Sequence, residues 1–160
     1  MSPRVNIPSS DLAAVDLRCE YLQNPLGIDE PSPRLSWTVQ SERRAQFQTA
    51  FRVLVASDPE ILAANRGDLW DTGRVKSRQC LHLAYAGRRL RSGMRCWWKV
   101  RAWDAEGKAG PWSQPAWWEM GLLREADWQG KWITASPPPI FENTGSQPAP
   151  YLRKEFRLSK

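Results

Sequence analysis

Apolar residues recur at every second position in a series of short runs, the pattern of strands that set one face on a core. Val15, Leu17, Cys19 and Tyr21 alternate with Asp16, Arg18 and Glu20, predicting a first strand with the apolar set inward. Leu35, Trp37 and Val39 alternate with Ser36, Thr38 and Gln40, and Phe51, Val53 and Val55 with Arg52, Leu54 and Ala56. Leu81, Leu83 and Tyr85 alternate with Cys80, His82 and Ala84. In the strongest run Cys96, Trp98, Val100 and Ala102 project to the core side, and Trp97, Lys99, Arg101 and Trp103 to the other. Residues 104–111 hold glycines, a proline and acidic residues, which predicts a turn. The chain then returns through 115–122 with Ala116, Trp118 and Met120 inward, opposite to Trp117 and Glu119, closing a hairpin.

One helical excursion interrupts the strands. Ser57-Asp58-Pro59-Glu60 combines a capping box with a proline in the first helical turn, and Gly67 is placed to stop a short helix over 59–65. About seven strands before Leu123 predict an all-β fold, an immunoglobulin/fibronectin type III-like β-sandwich over residues 15–123. Residues 1–14 read as a flexible leader. Residues 124–150 form a Trp/Pro-rich linker containing Trp128, Trp132 and Pro137-Pro138-Pro139. Residues 151–160 alternate once more and read as the first strand of an incomplete second β-domain. A lone strand cannot bury its apolar face, so the chain is expected to be the front portion of something longer.

The chain has 160 residues, with 23 Lys and Arg against 17 Asp and Glu. The positive charge is scattered, with Arg88, Arg89 and Arg91 the only tight group, and no recognition helix, zinc spacing or phosphate-cradling loop accompanies it. Nucleic acid is therefore not an expected partner. Cys19, Cys80 and Cys96 are too few for a disulfide framework or a zinc site; a Cys19–Cys96 bridge is conceivable, but buried free thiols are the simpler reading. There is no apolar leader and no long apolar run, so no membrane association is expected and the cytoplasm is the expected compartment, with secretion left open if the sequence is trimmed.

Lys99-Val100-Arg101-Ala102-Trp103-Asp104-Ala105-Glu106-Gly107, followed by Pro111-Trp112-Ser113, resembles the penultimate strand and last hairpin turn of fibronectin type III-like domains. A wider set resembles the amino-terminal region of bacterial and fungal α-L-rhamnosidases, in order from 15 to 158. It comprises Leu17-Arg18-Cys19-Glu20-Tyr21 with Asn24-Pro25-Leu26-Gly27-Ile28-Asp29, Pro33-Arg34-Leu35-Ser36-Trp37, the run 48–57, Leu69-Trp70-Asp71-Thr72-Gly73-Arg74-Val75, the run 98–104, and the run 128–133. The resemblance implies a sandwich, then a jelly-roll-like domain opened by a segment like 150–158, then a helical toroidal barrel. It also implies hydrolysis of terminal α-L-rhamnosyl linkages with inversion, by an acid and a base in the barrel, a chemistry that needs carboxyl groups ~6.5–9.5 Å apart. Nothing here matches the barrel, so the chain is expected to be non-catalytic and to need no cofactor. In one departure, Cys96 stands where such sandwiches often carry the aromatic of a tyrosine corner; Trp97 or Trp98 is expected to fill the volume.

Ten tryptophans frame the functional question. Trp37, Trp98 and Trp118 are expected in the core. Trp97, Lys99, Arg101, Trp103, Trp112 and Trp117 form an outward face, which an isolated domain should leave polar. Three readings stand: an intramolecular ladder of rings and cations, a docking face for the downstream domains of the same hydrolase, or a platform on which the sugar rings of a rhamnosylated glycan stack. A sandwich that binds proteins in trans is a further reading of the fold. Trp128 and Trp132 are expected to anchor the interdomain segment. His82 reads as a surface residue and Cys80 as unactivated, while Asp104 and Glu106 read as turn-formers.

Overall fold

The computed structural model describes residues 10–131, 133 and 151–157. Two units divide between Asp127 and Trp128. The first contains every strand assigned among the described residues: β1 (Ala13–Cys19), β2 (Arg34–Gln40), β3 (Ala50–Ala56), β4 (Trp70–Asp71), β5 (Leu83–Ala84), β6 (Arg95–Trp103), β7 (Ala109–Trp112) and β8 (Ala116–Glu119), with the helix α1 (Pro59–Ala63) between β3 and β4. One sheet has the order β1-β2-β5; the other runs β4-β3-β6, with β7 and β8 both paired to β6. All these strand pairs are antiparallel. The result is an immunoglobulin-like sandwich of seven strand positions, the seventh shared by β7 and β8.

The inward rows of the two sheets make the core. Leu35 and Trp37 of β2, Phe51, Val53 and Val55 of β3, Cys96, Trp98 and Val100 of β6, and Trp118 of β8 are buried in one cluster. Their aromatic rings meet edge to face: Trp37 on Phe51 at 5.2 Å, Tyr85 on Trp118 at 6.0 Å, and Trp98 on Trp118 at 6.5 Å. Burying side chains of this size contributes on the order of 1.5–3 kcal/mol each. Cys19 and Cys96 are free thiols in this core, and burial pushes both up to about 12. Tyr85, just after β5, is buried in the same core, and its hydroxyl donates to Arg88 O at 2.7 Å.

Four local expectations are corrected. In β1 the register shifts between Val15 and Arg18, with Asp16 at φ 50°, so Ala14, Leu17 and Cys19 are buried while Val15 leaves the inward row. Tyr21, at φ 69°, is 55% exposed. Around β5, His82 takes φ 54° and breaks the alternation, leaving Leu81 57% exposed and Cys80 packed against the core. The turn after β6 is tighter than 104–111, because Asp104 N–H bonds to Lys108 O at 3.0 Å and β7 has begun by Ala109. Finally, α1 starts at the cap Asp58, whose side chain accepts from Glu60 N–H at 2.7 Å, and it stops at Ala63; Asn65 at φ 57° ends the segment rather than Gly67.

The chain leaves this unit tightly held. The stretch beside Pro25 and Ile28 runs along the free edge of β8, with Glu119 N–H bonded to Pro25 O at 2.9 Å and Gly121 N–H to Ile28 O at 2.7 Å. In the second unit no strand is assigned among the described residues 151–157, and Tyr151 and Phe156 are exposed. Trp132 lies outside the described residues, and Trp128 is exposed. No helix among the described residues is long and apolar enough to cross a membrane.

Candidate functional site

The alternation of β6 places Trp97, Lys99, Arg101 and Trp103 on the sheet face opposite the core. The register sets Ala56, Leu54, Arg52 and Ala50 of β3 beside them in turn. On the other edge Arg101 pairs with Trp112 and Trp97 with Trp117. All six residues singled out in the sequence therefore share one face, and it is not bare. Helix α1 buries Leu62 on Leu54 and Ala56, and Ile61, Trp97 and Trp112 pack partly buried around them as a second, smaller core. An amphipathic turn laid on the outer side of a sheet covers apolar surface that water would otherwise meet.

The remaining polar and aromatic groups interlock. Trp112 is approached by Lys99 Nζ at 5.1 Å, by the Arg101 guanidinium at 5.7 Å and by that of Arg52 at 6.0 Å. Cations at such distances from a ring centroid are attracted by its quadrupole, by ~0.5–1 kcal/mol each where exposed. Arg52 is also held by Asp71 through two bonds of 2.9 and 2.6 Å, and this pairing keeps the Asp71 carboxyl below its usual range. Arg101 donates to Gly110 O at 2.7 Å. Lys99 is 7% exposed, and its ammonium donates to Asn65 Oδ1 at 2.8 Å; burial lowers its pKa. Trp103 carries the Arg74 guanidinium at 5.0 Å, and Trp117 carries that of Arg95 at 4.7 Å. Trp97 and Trp117 lie 6.3 Å apart at 51°. Arg52, Arg74 and Asn65 are the partners whose proximity follows from register and loop path, whereas Arg95 continues the outward row of β6 by one step.

Asp104 and Glu106 sit in the β6–β7 turn. The Asp104 side chain is fully buried; one carboxylate oxygen accepts from Glu106 N–H at 2.9 Å and Lys108 N–H at 2.8 Å, and the other from Arg43 at 2.9 Å. Burial would raise its pKa, but the Lys108 N–H, Ser10, Arg43 and Glu106 N–H contacts outweigh that and hold it low. Arg43 also reaches Asp11 at 3.0 Å and Glu106 at 3.3 Å, so one guanidinium ties the chain before β1 to this turn. His82 is exposed, with its ring against that of Tyr21 at 5.2 Å. Among the described residues no three metal-ligating side chains converge.

Comparison with known proteins places this architecture. The model of the Rha78A-like, N-terminal immunoglobulin domain matches residues 14–124. An α-L-rhamnosidase of Streptomyces avermitilis is 45% identical over 123 residues, which are 77% of this chain and 12% of that protein. One of Alteromonas sp. (strain LOR) is 38% identical over 146 residues, 88% of this chain and 16% of its own length. Among solved structures, the α-L-rhamnosidase from Dictyoglumus thermophilum superposes with a TM-score of 0.75 at 39% identity, covering 79% of this chain and 14% of that one. The Streptomyces avermitilis enzyme complexed with L-rhamnose gives 0.73 at 41%, covering 79% and 12%. The chain thus spans only 12% to 16% of these curated relatives. It belongs to the family of Rha78A-like N-terminal immunoglobulin domains of α-L-rhamnosidases.

Proposed function

We propose that this chain is the non-catalytic N-terminal portion of an α-L-rhamnosidase and serves as a scaffold against which other domains of the same protein pack. The carrying observation is that residues 14–124 match an N-terminal immunoglobulin domain and that the whole aligned stretch amounts to only 12% to 16% of the relatives' length. The local chemistry supports it: Asp104, Asp11 and Glu106 all serve Arg43, and Arg52 and Asp71 bind each other across β3 and β4. The rings of Trp103, Trp112 and Trp117 sit under cations of their own chain, which suits a stiff outer face more than a vacant stacking platform.

The test is turnover of a chromogenic α-L-rhamnoside by this chain and by the full-length protein. Only the full-length protein should turn over, and Trp103→Ser with Trp117→Ser in it should lower its stability. Turnover by the short chain would refute the reading. Titrating L-rhamnose while following tryptophan fluorescence separates the alternative: a saturable change abolished by those substitutions would make the face a sugar platform instead.

A further inference from the structure

Away from the tryptophan face, a cavity of about 510 Å³ opens between the β5–β6 connection and the segment by which the chain leaves the sandwich. Arg89, Arg91 and Ser92 line one wall, Leu123, Arg124 and Asp127 the other. Its shape is fixed from within: Ser92 Oγ accepts from Leu123 N–H at 2.8 Å and donates to the Asp127 carboxylate, which Arg124 pairs at 2.6 Å. That leaves three arginines facing one carboxylate, already engaged. Arg89 and Arg91 are exposed and have no ion pair among the described residues. Guanidinium forks are weakly hydrated and match carboxylates in two-point contact, so such a groove favours an acidic occupant.

We propose that this groove seats a carboxylate-bearing surface of a later domain of the same polypeptide, gripped by Arg89, Arg91 and Arg124. The proposal rests on the accessory-domain reading. Two observations select that occupant: the uncompensated positive charge, and the exit segment itself forming a wall, so that whatever follows is tethered beside the groove. Tethering raises the effective concentration to about the millimolar range for a short linker, where weak ion pairs suffice.

The full-length protein carrying Arg91→Lys is treated with carbodiimide, which joins an amine to a contacting carboxylate, and the cross-linked peptides are mapped. A link from position 91 to an Asp or Glu of a later domain is expected, at least tenfold reduced in 0.5 M NaCl. Arg89→Glu with Arg91→Glu, both at exposed positions, should lower the first melting transition of the full-length protein by about 2–4 °C at low salt. Links confined to the sandwich, together with unchanged melting of the double variant, overturn the proposal. A melting rise with polygalacturonate that the double variant loses, in the absence of any interdomain link, also overturns it, in favour of an acidic glycan. Deleting residues 10–127 separates the two levels. If the deletion destabilises the enzyme and the double variant does not, only the groove proposal fails. If the deletion changes neither activity nor melting, the accessory reading fails.

Discussion

The indole N–H of Trp37 donates to Gln48 Oε1 at 2.9 Å inside the core, and the Gln48 amide in turn donates to Gln79 O at 2.8 Å. Trp98 is as deeply buried, yet its indole N–H has no hydrogen-bond partner among the described residues. Replacing either by Phe removes similar volume, but only Trp37→Phe strands a buried acceptor. Urea unfolding should therefore show Trp37→Phe to be the costlier change by about 1–3 kcal/mol. Equal losses would mean that Gln48 finds another donor.

Asp104 organises the β6–β7 turn by accepting two backbone N–H groups on one oxygen. Asp104→Ala leaves both part-buried N–H groups without their partner, together with the Arg43 guanidinium, and should cost about 1–3 kcal/mol. Asp104→Asn keeps an oxygen for the turn and loses mainly the charge toward Arg43, so its loss in a denaturant titration should be smaller.

The Arg43 cluster sets a pH dependence. The Ser41 hydroxyl, then Arg43 and Glu42 N–H, hold the Asp11 carboxyl down to about 2 against the opposing effect of burial. Glu106 is lowered by Lys108 and Arg43. Folded pKa values below the unfolded ones mean a contribution that is complete above about pH 4–5 and is lost as pH falls toward about 2. Melting followed from pH 6 to pH 2 should show this loss, and Arg43→Gln should flatten it.

Gly110 lies in β7, where an added Cβ would stand 1.9 Å from Leu12 O. The approach of the chain before β1 to this strand thus depends on the missing side chain. Gly110→Ala should cost about 1–3 kcal/mol by overpacking and raise hydrogen exchange at Ser10 N–H, which bonds to Ala109 O.

Trp112→Ala removes the ring shared by Lys99, Arg101 and Arg52 together with its share of the small core under α1. A loss of about 2–3 kcal/mol is expected, while Trp112→Phe, which retains a π face, should recover about half. Thermal melts of both variants check this ordering.

Strands β2, β3 and β6 were legible because their alternation runs unbroken, so the two-residue period alone places each side chain. β1 and β5 were not, because a left-handed residue, Asp16 within β1 and His82 just before β5, shifts the phase, and no pattern of apolar residues announces it. β7 was hidden for a different reason. Gly110 and Pro111 look like turn residues, but here one admits Leu12 O and the other sits on an edge strand that tolerates a missing N–H. The outward row of the tryptophan face, extended by one step to Arg95 at the start of β6, could be read from period two. Its cations Arg52 and Arg74 could not be placed beside it, since they arrive from β3 and from the loop after β4. The Arg88–Arg91 group stood out in sequence, but the wall it faces comes from residues more than thirty positions later, joined through Ser92 and Leu123.

The path by which the chain leaves the sandwich has a mechanical consequence. Traction applied beyond Asp127 meets the Ser92 latch on Leu123 and Asp127 first. Only then does it reach β8, which is bonded to β6 on one edge and to Pro25 and Ile28 on the other. Detaching that strand breaks two rows of hydrogen bonds instead of one, so a pull on the exit segment is shared between both edges of β8 before the sheet opens.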